Sequence, residues 1–439
     1  MKRRLFAIGG ILVIGCLTVI GVVYRGIGVP YRRDVIEAGR DVSEGRSKAI
    51  PESTEMPQSE MPQADMPNNA ADGVVLFLGG DVMTGRGIDQ ILPHAGNPVI
   101  YEPYMRNANG YVELAERVNG PIHRPVSFFY IWGDALAELE RVAPDARIIN
   151  LETSITKSED YWKGKGIQYR MHPANIRCLT AAGIDFCSLA NNHVLDWGYD
   201  GLDETIGALG KANIKAAGAG GSLEEAEAPA VIEIQEKGRA VVFAFGSATG
   251  GIPSKWAASR QTPGVNLLRD YSNKTVEHIR ELVHEVEREG DVVVVSIHWG
   301  SNWGYGIPPE HRRFARSLID RAGIDVVHGH SSHHVRPLEV YNNRLIIYGC
   351  GDFLNDYEGI GGYEQFRSDL ALMYFVTLES SSGALKELRM TPMQIKRFQL
   401  VSVSQADAVW LAETLNRECE KFGSRVILGQ DNRLALQWD

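Results

Sequence analysis

From Val74 onward the chain is built from short apolar runs separated by helical stretches, and this alternation limits the possible architectures more than any other feature. The runs are Val74–Leu78, Ala146–Leu151, Phe186–Ala190, Ala240–Phe245, Asp291–Ile297, Asp325–Val327 and Leu345–Tyr348. Val292-Val-Val-Val-Ser-Ile is apolar on both faces of an extended chain, as a central strand covered by helices on each side requires. The segments between include amphipathic helices predicted over Asp270–Glu289 and Pro309–Ala322, the second leading through Gly323 into the next strand. The pattern predicts an α/β layered domain. Leu92–Val142 lacks strand periodicity and reads as an insertion with its own helices. From Leu370 longer alternating strands follow (Leu370–Glu379, Leu385–Val403), then a helix from about Gln405 to Lys421 and a hairpin-like tail, together expected to be antiparallel and peripheral or edge-forming.

The N-terminus has a different character. Lys2, Arg3 and Arg4 precede a run without charge from Leu5 to Tyr24, about the ~20 residues a helix needs to cross a bilayer. No good small-x-small cleavage site follows, which favours an uncleaved single-pass anchor. The alternative is lipoprotein processing at Cys16, after Val13-Ile14-Gly15, although the apolar run continues well beyond it. Arg25, Arg32 and Arg33 weaken the charge asymmetry across the helix, so charge gives only a lean toward an inside N-terminus. Pro51–Asp72, with its repeated Met-Pro echo, is too poor in large apolar residues to offset its ordering entropy and reads as a tether. The expected organisation is therefore basic cluster and anchor over 1–33, flexible linker over 34–72, the main domain over 73–400 with the 92–142 insertion, and a C-terminal helix and hairpin over 401–439. A net charge of −10, with no basic block after the N-terminus, argues against nucleic-acid binding. Five scattered cysteines without CxxC pairs suggest no disulfide scaffold.

The chemistry concentrates at strand ends. Of twelve histidines, His193, His298, His328, His330, His333 and His334 fall at or just past predicted strands, and the runs ending in Asp81, in Glu152 and in Asn191-Asn192-His193 add carboxylates and amides. In an open α/β sheet, ligands bind beyond the carboxyl ends of the strands, so these groups should converge. Carboxylate, imidazole and amide oxygen without thiolate suit one or two divalent ions, Mn, Fe or Zn, held for catalysis rather than structure. Such a site polarises acyl or phosphoryl oxygens and lowers the pKa of water from 15.7 toward about 7. Ordinary alternatives exist for each group: Asp81 as a cap, Glu152 as a loop acid, Asn191-Asn192-His193 as a polar turn, His298 as a core histidine. The Gly329–His334 loop has the weakest such alternative, because histidines crowded into a Gly/Ser loop have little packing value. His328, inside the strand, is expected to face the core.

Gly80-Asp81-Val82-Met83 with Arg86, Asn150-Leu151-Glu152, Ala190-Asn-Asn-His193 with Asp196-Trp-Gly198, Ser296-Ile-His298-Trp-Gly300, Gly329-His-Ser-Ser-His333 and Tyr348-Gly-Cys-Gly-Asp352-Phe occur in the order seen in the CapA family of poly-γ-glutamate capsule biosynthesis proteins. The resemblance spans roughly Val74 to Gln399. It implies a calcineurin-like metallophosphatase architecture, a four-layer α/β/β/α sandwich, here preceded by an N-terminal membrane helix, with the domain outside the cytoplasmic membrane. It also implies a metal shell of Asp81, Glu152, Asn192, His193, His298, His330 and His333. Asp196 would support the Asn-His loop, Arg86 would be available for an anionic substrate group, and the Asp352–Asn355 turn would border the site. In one respect the chain departs from metallophosphatases: Met83 stands where their first motif has His, and Glu152 stands where a bridging Asp would be. That departure counts against two complete ion positions and against efficient phosphomonoester cleavage.

The expected function is thus a metal-dependent hydrolase at the cell surface, acting on an anionic polymer or phosphorylated substrate in capsule synthesis or export. His193, or a histidine of the His333-His334 pair (His334 first), would protonate the leaving group. Two alternatives stand beside it: a phosphoesterase unrelated to capsule, and a non-catalytic subunit of a polymer synthase or exporter.

Overall fold

The computed structural model describes residues 73–439. The expected anchor, the linker and Cys16 lie outside the described residues. Among those described, no helix is long and apolar enough to cross a membrane.

Two large sheets organise the domain. The first runs, edge to edge, Ser424–Leu428, Leu434–Trp438, Leu385–Lys396, Leu370–Glu379, Gly73–Val82, Ala146–Leu151, Phe186–Ser188 and Lys215–Ala217, with Asp352–Leu354 and Gln399–Ser402 paired onto it. Its half beginning at Gly73–Val82 is parallel and its C-terminal half antiparallel. The second runs Leu338–Tyr341, Arg344–Ile347, Val326–His330, Val292–His298, Gly238–Gly246 and Ala230–Ile234, with its four inner strands parallel.

The period-2 geometry of Val292–His298 shows how the layers are arranged. Val292 and Val294 join the apolar cluster that also holds Val74, Phe77 and Ile148 of the first sheet. Val293, Val295 and Ile297 point the other way, onto Ile279 of the helix Asn273–Val286 and Phe314 of the helix Pro309–Ala322. A strand apolar on both faces is thereby buried on both faces.

Every predicted apolar run is a strand, and Ala146–Leu151, Leu370–Glu379 and the helix Pro309–Ala322 agree with expectation to the residue. The helix expected from Asp270 starts at Asn273, where the Ser272 hydroxyl accepts the Thr275 N–H and caps it. The C-terminal region differs from expectation. It is antiparallel, but Leu370–Glu379 lies directly beside Gly73–Val82 in the middle of the sheet, and only the last hairpin reaches the edge. The strand earns that place by composition, since Leu370 to Val376 is buried on both faces.

Candidate metal centre

The carboxyl ends of the parallel strands in both sheets meet at one place. In the first strand a bulge at Gly79-Gly80 shifts the register before Asp81. Gly80 permits the closest approach: a Cβ there would lie 1.8 Å from the Gly351 carbonyl oxygen, so only glycine lets Asp352–Leu354 pair alongside and set Asp352 opposite Asp81. Asp81 Oδ1 accepts from Asn150 Nδ2 at 2.7 Å, and Oδ2 accepts from the Ser331 N–H at 3.1 Å. Ser331 holds a left-handed φ of 98° to present that N–H. His333 Nδ1 lies 2.9 Å from Asp352 Oδ1, and Asn355 Nδ2 donates to the other carboxylate oxygen at 2.8 Å. Asp81, His333 and Asp352 place ligand atoms within 4.8 Å of one another.

A second triad, Asp81, His298 and His330, satisfies the same distance. Its tautomers follow from the hydrogen bonds. His328 Nε2 faces the Gly79 carbonyl at 2.9 Å, and a carbonyl only accepts, so this nitrogen carries the hydrogen. His328 Nδ1 is then an acceptor for the Ser296 hydroxyl at 3.2 Å, and the Ser296 oxygen in turn accepts from His330 Nε2 at 2.9 Å. The His330 Nδ1 lone pair is left facing His298 Nδ1 at 3.0 Å and Asp81 Oδ1 at 3.6 Å. Burial pulls His328 down to about 4 and His330 well below the usual histidine range, so both rings are neutral, as ligation requires.

Glu152 and His193 border this group. His193 Nδ1 lies 2.6 Å from Asp196 Oδ2 and 2.8 Å from Lys165 Nζ. One nitrogen cannot serve both. A carboxylate can only accept, whereas the Lys165 ammonium also reaches Asp196 Oδ1 at 2.6 Å and the Ile167 carbonyl at 2.9 Å, so Nδ1–H goes to Asp196. Burial is the main cause that brings His193 down to about 4, and its Nε2 lone pair faces Glu152 Oε1 at 3.7 Å. Two acceptors thus face each other. Glu152 Oε2 and Asn192 Oδ1 are buried without a hydrogen-bond partner. Asn192 lies against Gly251, in the turn whose Gly250 abuts His298.

The electrostatics agree with the geometry. Asp81 is pushed up to about 7 by burial and then by the neighbouring Asp352 carboxylate, and Glu152 is raised well above its ordinary range by burial and then by Asp81. His333 moves the other way: burial is the largest influence and opposes its charge, but the charge and hydrogen bond of Asp352 together with the Asp81 carboxylate outweigh it and raise the imidazole. Three crowded, desolvated carboxylates, neutral imidazoles and two buried oxygens without donors fit a divalent cation.

The structure therefore brings Asp81, His298, His330 and His333 together, with Glu152, His193 and Asn192 beside them. The acid common to both triads is Asp81 rather than Glu152. Two expectations are corrected. Arg86 is not available to a substrate: its buried guanidinium is held by Asp356, Glu102 and the Tyr111 hydroxyl, with the Tyr111 and Tyr169 rings against it. His334 turns away from the cluster, its Nδ1 on the Val335 carbonyl and its ring stacked on Phe366 and Trp303, where the chain bends at His333-His334. Asp352, expected only to border the site, is a ligand candidate. Lys165, Ser296 and the role of His328 carried no recognised signal. For Ser296 one existed: in the strand ending at His298 it is the sole polar residue before the histidine, and its side chain shares that histidine's face.

Residues 75–357 match the family described as "Bacterial capsule synthesis protein PGA_cap". A probable polyglutamine synthesis accessory protein of Mycobacterium tuberculosis is 49% identical over 366 residues, 83% of this chain and 96% of the relative. A PGA biosynthesis protein CapA of Bacillus subtilis is 27% identical, covering 82% of this chain and 81% of its own length. A capsule biosynthesis protein CapA of Bacillus anthracis is 23% identical over 63% of this chain and 58% of its own.

Proposed function

Because the chain belongs to the bacterial capsule synthesis protein PGA_cap family, we propose that it is a metal-dependent hydrolase serving the synthesis or export of an anionic polyglutamate-type polymer. One observation carries the hydrolytic part of this reading: carboxylates and neutral imidazoles from both sheets converge on a space where Glu152 Oε2 and Asn192 Oδ1 lack donors. Asp81 with His298 and His330 would hold one cation, and Asp81 with His333 and Asp352 a second, with Glu152 and Asn192 completing the shell. Bound there, a divalent ion such as Mn, Fe or Zn would polarise the scissile carbonyl or phosphoryl oxygen and ease deprotonation of an attacking water. The chain's own residues do the rest. Ser296 and His328 orient the His330 lone pair, and Asp196 orients His193 so that Nε2 faces the reacting space, where it can take up a proton and pass it to a leaving group.

That the mycobacterial relative is a probable polyglutamine synthesis accessory protein favours a second reading, a non-catalytic subunit of a polymer synthase or exporter that keeps the metal for structure. We further propose that the domain lies outside the cell membrane, a reading supported by Lys2-Arg3-Arg4 ahead of the Leu5–Tyr24 run, and that its layers are α/β/β/α, supported by the burial of both faces of the second sheet.

The test is full-length protein purified without chelator, its metal content measured, and its turnover of poly-γ-glutamate and of phosphoesters followed with added Mn²⁺. Bound metal with cleavage of the polymer, abolished in Asp81→Asn, supports the hydrolase. Metal without turnover of any substrate, with polymer production still lost in cells carrying Asp81→Asn, transfers support to the accessory subunit. Absence of metal overturns the centre itself.

A further inference from the structure

Ser296 holds the far nitrogen of His330 and Asp196 that of His193, and His333 has such a partner as well. His333 Nδ1 points at Asp352 Oδ1, 2.9 Å away, and Nε2 on the other side of the ring lies 2.9 Å from the side-chain amide of Asn302. The Asn302 carbonyl also accepts the His333 backbone N–H at 3.0 Å, so one residue fixes this histidine through main chain and side chain together. The ring plane is set by Tyr357, edge-on at 5.3 Å, and by Trp303, tilted at 5.3 Å. Asn302 is itself anchored. Arg336 Nη2 donates to the Ser301 carbonyl at 2.6 Å and to the Ser301 hydroxyl at 2.9 Å, and that hydroxyl donates to the Trp303 carbonyl at 2.9 Å. Just before them, the Gly300 N–H donates to the Thr249 hydroxyl at 3.0 Å. The backbone is thus pinned on both sides of Asn302, while its amide makes no other hydrogen bond among the described residues and is free to turn over.

We propose that Asn302 is the positioning residue for His333, holding the hydrogen of Nε2 whenever Nδ1 ligates a cation. This rests on the reading of the centre given above and names a group that sets the affinity of its Asp81, His333 and Asp352 position. A carboxylate only accepts, so without an ion Nδ1 carries the hydrogen that bonds Asp352. A cation on Nδ1 takes that lone pair, so the ring hydrogen must sit on Nε2 and needs an acceptor there. The hydrogen that leaves Nδ1 passes to solvent, and Nε2 draws its own from solvent, to which Asn302 is exposed. The amide offers a donor at Nδ2 and an acceptor at Oδ1, and a half-turn exchanges them at nearly the same point. A carboxylate in its place would serve only the loaded ring, and an ammonium only the empty one. Ser296 has no part here, since its bonds go to His328 and His330.

The test uses full-length protein and Co²⁺. Affinity is read by competition against a chelator, and proton NMR reads the shifted N–H signals of cobalt-ligated imidazoles, which vanish in D₂O. His333→Ala identifies the signal that belongs to His333. Asn302→Leu removes the amide at an exposed position and keeps the backbone bonds, and melts of the metal-free protein check that the fold is intact. This variant is expected to bind Co²⁺ at the His333 position about 10- to 100-fold more weakly and to lose the His333 N–H signal to solvent exchange. The ion at Asp81, His298 and His330 should keep its affinity. Asn302→Asp, an acceptor alone, should retain the signal. Native affinity at both positions in Asn302→Leu overturns the proposal, as does a His333 N–H signal that persists there, or equal weakening of both positions. Failure of the wider reading is separable. Wild-type protein that takes up no Co²⁺ removes the centre and this role with it, whereas selective weakening in Asn302→Leu without turnover of any substrate removes hydrolysis alone.

Discussion

Ser296 donates to one histidine and accepts from another, and through that pair of bonds it fixes which nitrogen of His330 faces the centre. Ser296→Ala is therefore expected to weaken Mn²⁺ binding about 10- to 100-fold, the usual cost of losing the partner of a ligating histidine, with Ser296→Thr restoring most of it. Competition against a chromophoric chelator measures both. Arg86 makes the opposite case, a residue whose chemistry suggests a substrate contact and whose position forbids one. Arg86→Met would strand Glu102 and Asp356 as unpaired buried acids, a loss of about 3–5 kcal/mol readable in urea unfolding. Sequence could not show this, because one partner lies 16 positions away inside the insertion and the other 270 positions away. His333 and His334 show the same limit at closer range: they are neighbours in a loop, and only the backbone path decides which one meets Asp352. What was legible, Asp81, His298 and His330, sits at the ends of strands with unmistakable apolar patterning, so the direction of each strand placed its last side chains.

At the scale of elements, the close pairing of Gly73–Val82 with Asp352–Leu354 depends on the missing side chain at position 80. Gly80→Ala should push the two strands apart, separating Asp81 from Asp352, and the expected result is lower thermal stability together with weaker metal uptake in the same variant. A second junction joins the helix Ala135–Val142 to the C-terminal strands: Glu138 accepts from Arg141, Arg433 and Thr391. Burial alone would raise the Glu138 carboxyl, but these hydrogen bonds outweigh it and hold it well below the ordinary carboxylate range. Its folded pKa lies under its unfolded one, so the stabilisation is present above the unfolded value of about 4.3 and is lost as pH falls toward the folded value. Melting temperature followed from pH 6 down to about 3 should drop, and Glu138→Gln should have a lower plateau and a shallower fall over the same range. Strands and long helices were readable because burial writes a period into them. The central placement of Leu370–Glu379 was not, since pairing partners leave no mark in a single strand beyond its being apolar on both faces.

For the molecule as a whole, Asp81, Glu152 and Asp352 repel one another across a few ångströms, and a cation that binds the folded chain alone relieves that repulsion. Chelation is expected to lower the melting temperature by several degrees, added Mn²⁺ to restore it, and Asp81→Asn to make the protein indifferent to both, all by calorimetry. The architecture also carries a consequence for the timing of assembly. Gly73 is paired with Glu379, and Asp81 with Asp352, so the first strand to leave the ribosome waits for some of the last. Loop closure over such a span is slow, and an N-terminal fragment has no neighbour for one side of its first strand. The ligand set is therefore incomplete until the chain has been made as far as Asp352. A cation bound at the candidate centre would be acquired late, from whatever surroundings the finished polypeptide has reached, and the metal supply there would decide which ion the centre holds.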